Sequence, residues 1–271
     1  MKIFKNKEQL KREIGNKKSI SFVPTMGGLH KGHISLIKTA KKYTNKTLVS
    51  IYVNPKQFNK EEDYKKYPRN LVKDLKILKR LRVNYLYLPT YKDLFRFKPL
   101  NKIYLHKFSK ILCGKYRKYH FKGVLDVINR FLQIIRPKYL FLGFKDFQQL
   151  TLIKKHILKN KIDTKIISCK TVREDSGVAF SSRNFNLNKS QMKIAKNVYD
   201  YLIKIKKKIK KNSKLFNPLL FKKHLIKLGV SRIDYLEIIN LKSLSRPKKP
   251  KESFNIFIAY YLNNVRLIDN I

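Results

Sequence analysis

Acidic side chains are what this chain has least of. Across 271 residues, 17 Asp and Glu stand against 64 Lys and Arg, a formal charge of +47. Cysteine is nearly absent: Cys113 and Cys169 have no metal-ligand spacing, fit a reducing cytoplasm, and read as packing residues rather than nucleophiles. No apolar run approaches the roughly 20 residues that a membrane-spanning helix needs. Charges throughout residues 1–20 argue against a secretory leader. A nucleic-acid module is also missing. Such a surface concentrates its cations beside exposed aromatics, whereas here lysines run from end to end, including Lys204, Lys206, Lys207, Lys208, Lys210 and Lys211 on one helical stretch. Scattered lysine is the mark of compositional drift toward Lys, Asn, Ile, Tyr and Phe, as in an AT-rich genome. No specific nucleic-acid partner is then expected, sequence-blind and salt-dependent association would show only a basic surface, and stability should depend on salt.

What is present is ample for a core, with 43% hydrophobic residues. Val-, Ile- and Tyr-rich runs at residues 19–23, 47–53, 85–88 and 138–143 read as buried strands. Helical patterns lie between and after them at 68–81, 123–135 and 148–158. Strands alternating with helices predict an α/β, Rossmann-like, mostly parallel sheet with helices on both faces, over residues 1–170. Beyond 171 the texture changes. Two helical stretches, 189–211 and 217–228, precede strand-like runs at 234–239 and 254–261, which predicts a smaller C-terminal α+β domain over 171–271.

Ligands of such sheets bind beyond the carboxyl ends of the strands. Four segments fall there. Pro24-Thr25-Met26-Gly27-Gly28-Leu29-His30-Lys31-Gly32-His33 follows the strand at 19–23 and opens a helix. Its glycines permit a tight turn, and its free amides with the helix dipole make an anion site. His30 and His33, at i and i+3, share one helix face aimed at that anion. In Asn54-Pro55-Lys56-Gln57-Phe58, Asn54 and Gln57 either orient a polar substrate or merely start a turn. Asp74, in the helix opened by Tyr67-Pro68-Arg69, either reaches Mg²⁺ through water or occupies a solvated position. In Gly143-Phe144-Lys145-Asp146-Phe147-Gln148-Gln149, Lys145 suits phosphate charge, and Asp146 suits a helix cap. Thr171-Val172-Arg173-Glu174 and Ser181-Ser182-Arg183-Asn184 offer hydroxyls and a guanidinium to phosphate oxygens, or a plain surface turn.

Taken in order, these segments resemble the pantothenate synthetase family over nearly the whole chain. They are joined by His120-Phe121-Lys122-Gly123-Val124 and by Arg266-Leu267-Ile268-Asp269-Asn270. The resemblance implies a Rossmann-like nucleotidyltransferase with a His-x-Gly-His signature. Its reaction would be the ATP-dependent condensation of (R)-pantoate with β-alanine to pantothenate, AMP and diphosphate through pantoyl adenylate. It also implies a cytoplasmic homodimer that uses Mg²⁺ held mainly through the ATP phosphates, with no protein metal ligand. Carried over by position, Met26, Gly27, Gly28, Leu29, His30, Lys31, Gly32 and His33 line the ATP phosphates. His33 is the acid/base residue, with His30 and Lys145 beside it in catalysis. Gly143, Phe144, Lys145 and Asp146 hold the nucleotide, Val172 touches adenine, and Phe180, Ser181, Ser182 and Arg183 close over the phosphates. Gln57, Gln149 and Asn54 serve pantoate and β-alanine. The chain departs from the family pattern at Phe144, where a carboxylate or polar residue is usual, and at Lys122, where Arg is usual. It also lacks the Pro-Gly before His120.

Overall fold

The computed structural model describes residues 1–15, 19–212, 215–247 and 252–271, in two compact units, Met1–Val172 and Arg173–Ile271. The first unit runs β1 (Lys2–Phe4), α1 (Lys7–Ile14), β2 (Ile20–Thr25), α2 (Lys31–Lys41), β3 (Lys46–Ile51), α3 (Glu61–Lys65) and α4 (Leu71–Arg80). It continues with β4 (Tyr85–Tyr87), α5 (Tyr91–Phe95), α6 (Cys113–Tyr116), α7 (His120–Ile135), β5 (Tyr139–Gly143), α8 (Phe147–Lys159) and β6 (Lys165–Cys169). All its strand pairs are parallel, in the order β1-β4-β3-β2-β5-β6. The order reverses between β2 and β5, so their carboxyl ends flank the switch point where such sheets bind ligands.

Strand alternation feeds a core on each face. Phe22, Leu48, Tyr85, Tyr87, Leu140 and Leu142 pack with Leu10 and Ile14 of α1, with α7, and with Leu150 and Ile153 of α8. Their neighbours Val23, Val49, Leu86 and Phe141 pack on the other face with Ile37 and Ala40 of α2 and Leu78 of α4. The expected helix-covered parallel sheet is therefore present. Cys113 and Cys169 are buried free thiols, with Cys169 pushed up by burial.

Several elements differ from the sequence expectation. The strand β1 and helix α1 lie in the charged N-terminal stretch, where only Leu10 and Ile14 of α1 are buried, so periodicity is thin. The helix expected from 68 starts at Leu71, because Asn70 caps it by accepting a hydrogen bond from the Lys73 amide (2.9 Å). Mixed exposure along edge strand β6 hides it from the pattern of apolar residues.

The second unit contains α9 (Lys189–Lys211), α10 (Pro218–Lys227), β7 (Arg232–Asn240), β8 (Phe254–Leu262) and β9 (Val265–Asn270), with the strands antiparallel in the order β7-β8-β9. Lysine-rich α9 is a regular helix because Ala195, Val198, Leu202, Ile205 and Ile209 form one buried stripe. Strand β9 is a further addition to the sequence expectation; it carries the 266–270 motif, and the motif is structural. Asp269 accepts two bonds from Arg173 (2.7 and 2.9 Å), and Arg266 Nε donates to Asp234 (2.8 Å). The Arg173 of the Thr-Val-Arg-Glu segment is thus tied to the C-terminal motif.

Candidate active site

The turn after β2 is built from two left-handed glycines, Gly27 (φ +78°) and Gly28 (φ +60°), a conformation that disfavours side chains. Thr25 anchors it: its hydroxyl donates to the Ser50 carbonyl (2.8 Å) and accepts from the Gly27 amide (3.2 Å). The amides of Gly28 and Leu29 donate to the two carboxylate oxygens of Asp74 on α4 (2.9 and 2.8 Å). The His30 amide donates to His33 Nδ1 (3.4 Å), and the Gly32 amide to His30 Nδ1 (3.1 Å).

This corrects the expectation of bare amides. The amides of Gly27, Gly28, Leu29, His30 and Gly32 are all engaged within the protein. It also corrects the reading of Asp74 as a solvated helix position, since the residue is 3% exposed. Burial pushes its carboxyl up, while the Leu29 and Gly28 amides and Lys73 pull it back. Leu29 is a core residue, so only its backbone belongs to the turn.

The two imidazoles lie 4.0 Å apart between ring centroids. Both use Nδ1 as an acceptor, which assigns the proton of the neutral rings to Nε2. Burial, then His33, then Lys145, hold His30 down at about 2. Burial also lowers His33, to about 4, with Asp146 pulling it up and Lys145 pushing it down. At neutral pH both histidines are therefore neutral N–H donors, and the fixed positive charge beside them is that of Lys145. Lys145 Nζ lies 3.4 Å from Asp146, which makes no side-chain cap on α8. The fold thus brings His30, His33, Lys145 and Asp146 together at the β2/β5 switch point. Phe144 turns its ring onto Phe147 (5.2 Å), and a Cβ added at Gly143 would meet nothing within 4 Å. Met26 is half-buried and Lys31 exposed.

The loop after β3 is docked on the start of α7. Asn54 is fully buried. Its Nδ2 donates to the Gly123 carbonyl (3.0 Å) and its Oδ1 accepts from the Lys56 amide (3.2 Å). Asn54 therefore holds the loop against α7. The Gln57 carbonyl takes bonds from His120 Nδ1 (2.7 Å) and Arg117 (3.0 Å), while Arg117 also faces His120 Nε2 (2.9 Å), so His120 carries its proton on Nδ1. The Gln57 side-chain amide makes no hydrogen bond among the described residues. The same contrast recurs on α8. Gln148 accepts from the Cys113 amide (3.1 Å) and donates to the Phe108 and Ile111 carbonyls (2.7 Å each), whereas Gln149 has no such bonds among the described residues. Lys122 is exposed, and Tyr119 occupies the left-handed region (φ +63°) where the missing Pro-Gly would sit.

In the second unit, Ser181 caps a short 3-10 turn, Ser182–Asn186, by accepting from the Arg183 amide (3.3 Å). Asn184 donates to the Ala179 carbonyl (3.1 Å). Val172, which ends the first unit, and Phe180, Ser181 and Arg183 are partly exposed, and Ser182 is buried. Arg117 and His120 were not legible as residues that hold the Gln57 loop, nor was the amide pairing of Asp74, because each acts through a partner distant in sequence.

A doubly wound parallel sheet with imidazoles and a lysine at its switch point is the setting in which Rossmann-like enzymes bind nucleotides. The profile of the pantoate–β-alanine ligase family matches residues 2–271. The pantothenate synthetase of Thermosipho africanus is 38% identical over 277 residues, covering 100% of this chain and 99% of that protein. A Francisella tularensis pantoate–β-alanine ligase, solved with β,γ ATP and β-alanine, superposes with a TM-score of 0.85 at 38% identity, covering 100% of this chain and 97% of that one. The pantothenate synthetase of Thermus thermophilus superposes with a TM-score of 0.87 at 27% identity, covering 100% and 99%. The chain belongs to the pantoate–β-alanine ligase family, and it is an enzyme of that class.

Proposed function

We propose that this enzyme condenses (R)-pantoate with β-alanine in two steps at the β2/β5 switch point. In the first, the pantoate carboxylate attacks the α-phosphorus of ATP, and diphosphate leaves. In the second, the amine of β-alanine attacks the pantoyl-adenylate carbonyl, loses a proton, and AMP leaves. The observation that carries the reading is the cluster of His30, His33 and Lys145 at the switch point of a ligase-family fold.

Each side chain has a role that its surroundings support. Carboxylate and phosphate repel, so donors are needed where charge builds. His30 and His33 supply Nε2–H donors and Lys145 supplies the compact charge. One preorganised donor of this kind is commonly worth about 2.7–4 kcal/mol. Holding pantoate in line with the α-phosphate adds about 7–11 kcal/mol through orientation. Gln57 and Gln149 take the pantoate and β-alanine side, which their side-chain amides, not hydrogen-bonded among the described residues, support. Asn54 and Gln148 shape that side from behind. Met26 to His33 and Gly143 to Asp146 border the phosphates, Val172 meets adenine, and the resemblance gives Phe180, Ser181, Ser182 and Arg183 to the triphosphate. Among the described residues no three His, Cys, Asp or Glu are grouped to hold a metal. Mg²⁺ carried on the nucleotide phosphates would neutralise charge on the leaving diphosphate. A cytoplasmic homodimer completes the reading; sedimentation at several concentrations tests the dimer.

The deciding experiment is exchange of labelled diphosphate into ATP with pantoate and Mg²⁺ and without β-alanine. Exchange that requires pantoate is the expected result. Folded protein that binds ATP and shows no exchange would reject the adenylate step.

A further inference from the structure

The turn that carries the histidines does not hold itself. Gly27 and Gly28 are consecutive left-handed glycines, and glycine reaches many other conformations at little cost. What fixes them comes from outside the segment: the Thr25 hydroxyl on one side and the Asp74 carboxylate, 45 and 46 residues further along the chain, on the other. The Asp74 pairing is two-pronged, with one oxygen for each amide. The fit is close, since a Cβ on Gly27 would stand 3.0 Å from Asp74 Oδ2.

The cost of this arrangement is informative. A carboxylate buried to 3% exposure is expensive unless its lone pairs are met. Asp74 has no salt bridge among the described residues; backbone amides just ahead of helix α2 meet it instead, at the positive end of that helix. A carboxylate behind the turn also uses up amides that would otherwise face phosphate. Recognition of the anion is thereby handed to the imidazoles and Lys145.

We propose that Asp74 is a positioning residue of the nucleotide site: it clamps the Gly28 and Leu29 amides and so sets where His30 and His33 present Nε2 to the phosphates. Helix α4, which touches the turn through this carboxylate, becomes part of the nucleotide-binding apparatus. The inference rests on the function proposed above and deepens it.

The test compares Asp74→Asn and Asp74→Ala with Thr44→Val in the full chain. Thr44 lies at the other end of the same sheet, where its buried hydroxyl bonds to the Ser21 hydroxyl (2.9 Å). Asp74→Asn keeps the shape but sets an NH₂ against one amide. Both Asp74 variants should raise the ATP KM in pantoate-dependent exchange at least about tenfold, the scale of an unmet buried hydrogen bond. Pantoate KM should stay within about twofold. Thr44→Val should lower the melting temperature and leave ATP KM unchanged. Unchanged ATP KM in either folded Asp74 variant would overturn the proposal. So would an equal rise in Thr44→Val, or failure of both Asp74 variants to fold. Equilibrium dialysis of ATP on the same proteins separates this outcome from failure of the catalytic reading: wild-type protein without exchange rejects the adenylate step, while the clamp is still read from the ATP affinity of the variants.

Discussion

The turn after β2 and the loop after β3 leave neighbouring parallel strands, yet they are held in opposite electrical senses. The first presents amides inward and is gripped by a carboxylate, Asp74. The second presents the Gln57 carbonyl inward and is gripped by an imidazole and a guanidinium, His120 and Arg117. The contrast matches the roles proposed for each outward face: neutral N–H donors and a lysine toward phosphate on one side, an amide toward the hydroxy acid on the other. Backbone polarity that faces the protein core is answered in both loops by side chains of opposite polarity.

Removing a donor from the phosphate side should have the largest effect. His33→Ala is expected to slow adenylate formation by at least about 10², with little loss of folding. Near-normal single-turnover rates in that variant would take His33 out of the chemistry and flatten the comparison. Next comes the substrate side. A Cβ on Gly123 would stand 2.3 Å from the Lys56 carbonyl oxygen, so Gly123→Ala must push the Gln57 loop off α7. Overpacking of this kind costs about 1–3 kcal/mol. The variant should lose kcat/KM for pantoate while retaining most of its ATP affinity, and steady-state kinetics with each substrate varied would show it.

A smaller effect follows from titration. The unfolded chain protonates its histidines near the ordinary 6.5, whereas folded His33 resists until about 4 and His30 until about 2. Stability is therefore full above about pH 7 and falls as pH drops from 6.5 toward 4, because the unfolded chain takes up protons that the folded one refuses. His156, also lowered to about 4 by burial, contributes in the same window. Melting curves of His30→Gln/His33→Gln should slope less steeply with pH over that range than wild type; an identical slope would show that the pair is not held neutral. The smallest effect concerns Tyr119, left-handed and 67% exposed. Glycine there relieves about 1–2 kcal/mol of steric cost and adds about 0.4–1 kcal/mol of unfolded-state entropy. Tyr119→Gly should thus raise the melting temperature by roughly 2 °C. A decrease would mean that the ring has contacts worth more than the strain.

The parallel sheet and its helices were legible because Phe22 and Val23, or Leu140 and Phe141, alternate in runs long enough to read. His30 and His33 were legible because a glycine turn between strand and helix has a short-range signature. Asn54 and Gln57 could not be told apart, nor could Gln148 and Gln149. Each pair sits three residues or fewer apart with the same chemistry, and which amide the backbone claims depends on α7 or on the 107–113 segment. Asp74 escaped for the same reason: its partners are remote in sequence, and a lone carboxylate in a lysine-rich helix looks solvated until the chain folds around it.

The pairing of Arg173 with Asp269 has a broader meaning in a chain this poor in acid. Lys206 is held down to about 8 by burial, by Lys210 and by Arg173, so Asp269 is the counter-charge in a crowd of cations. A protein with abundant carboxylates can lose one and let a neighbour swing in. With 17 acids among 271 residues, few can stand in. Among the described residues Asp269 is the carboxylate paired with Arg173, and a substitution there would leave Arg173 and Lys206 to repel each other beside the C-terminal strand.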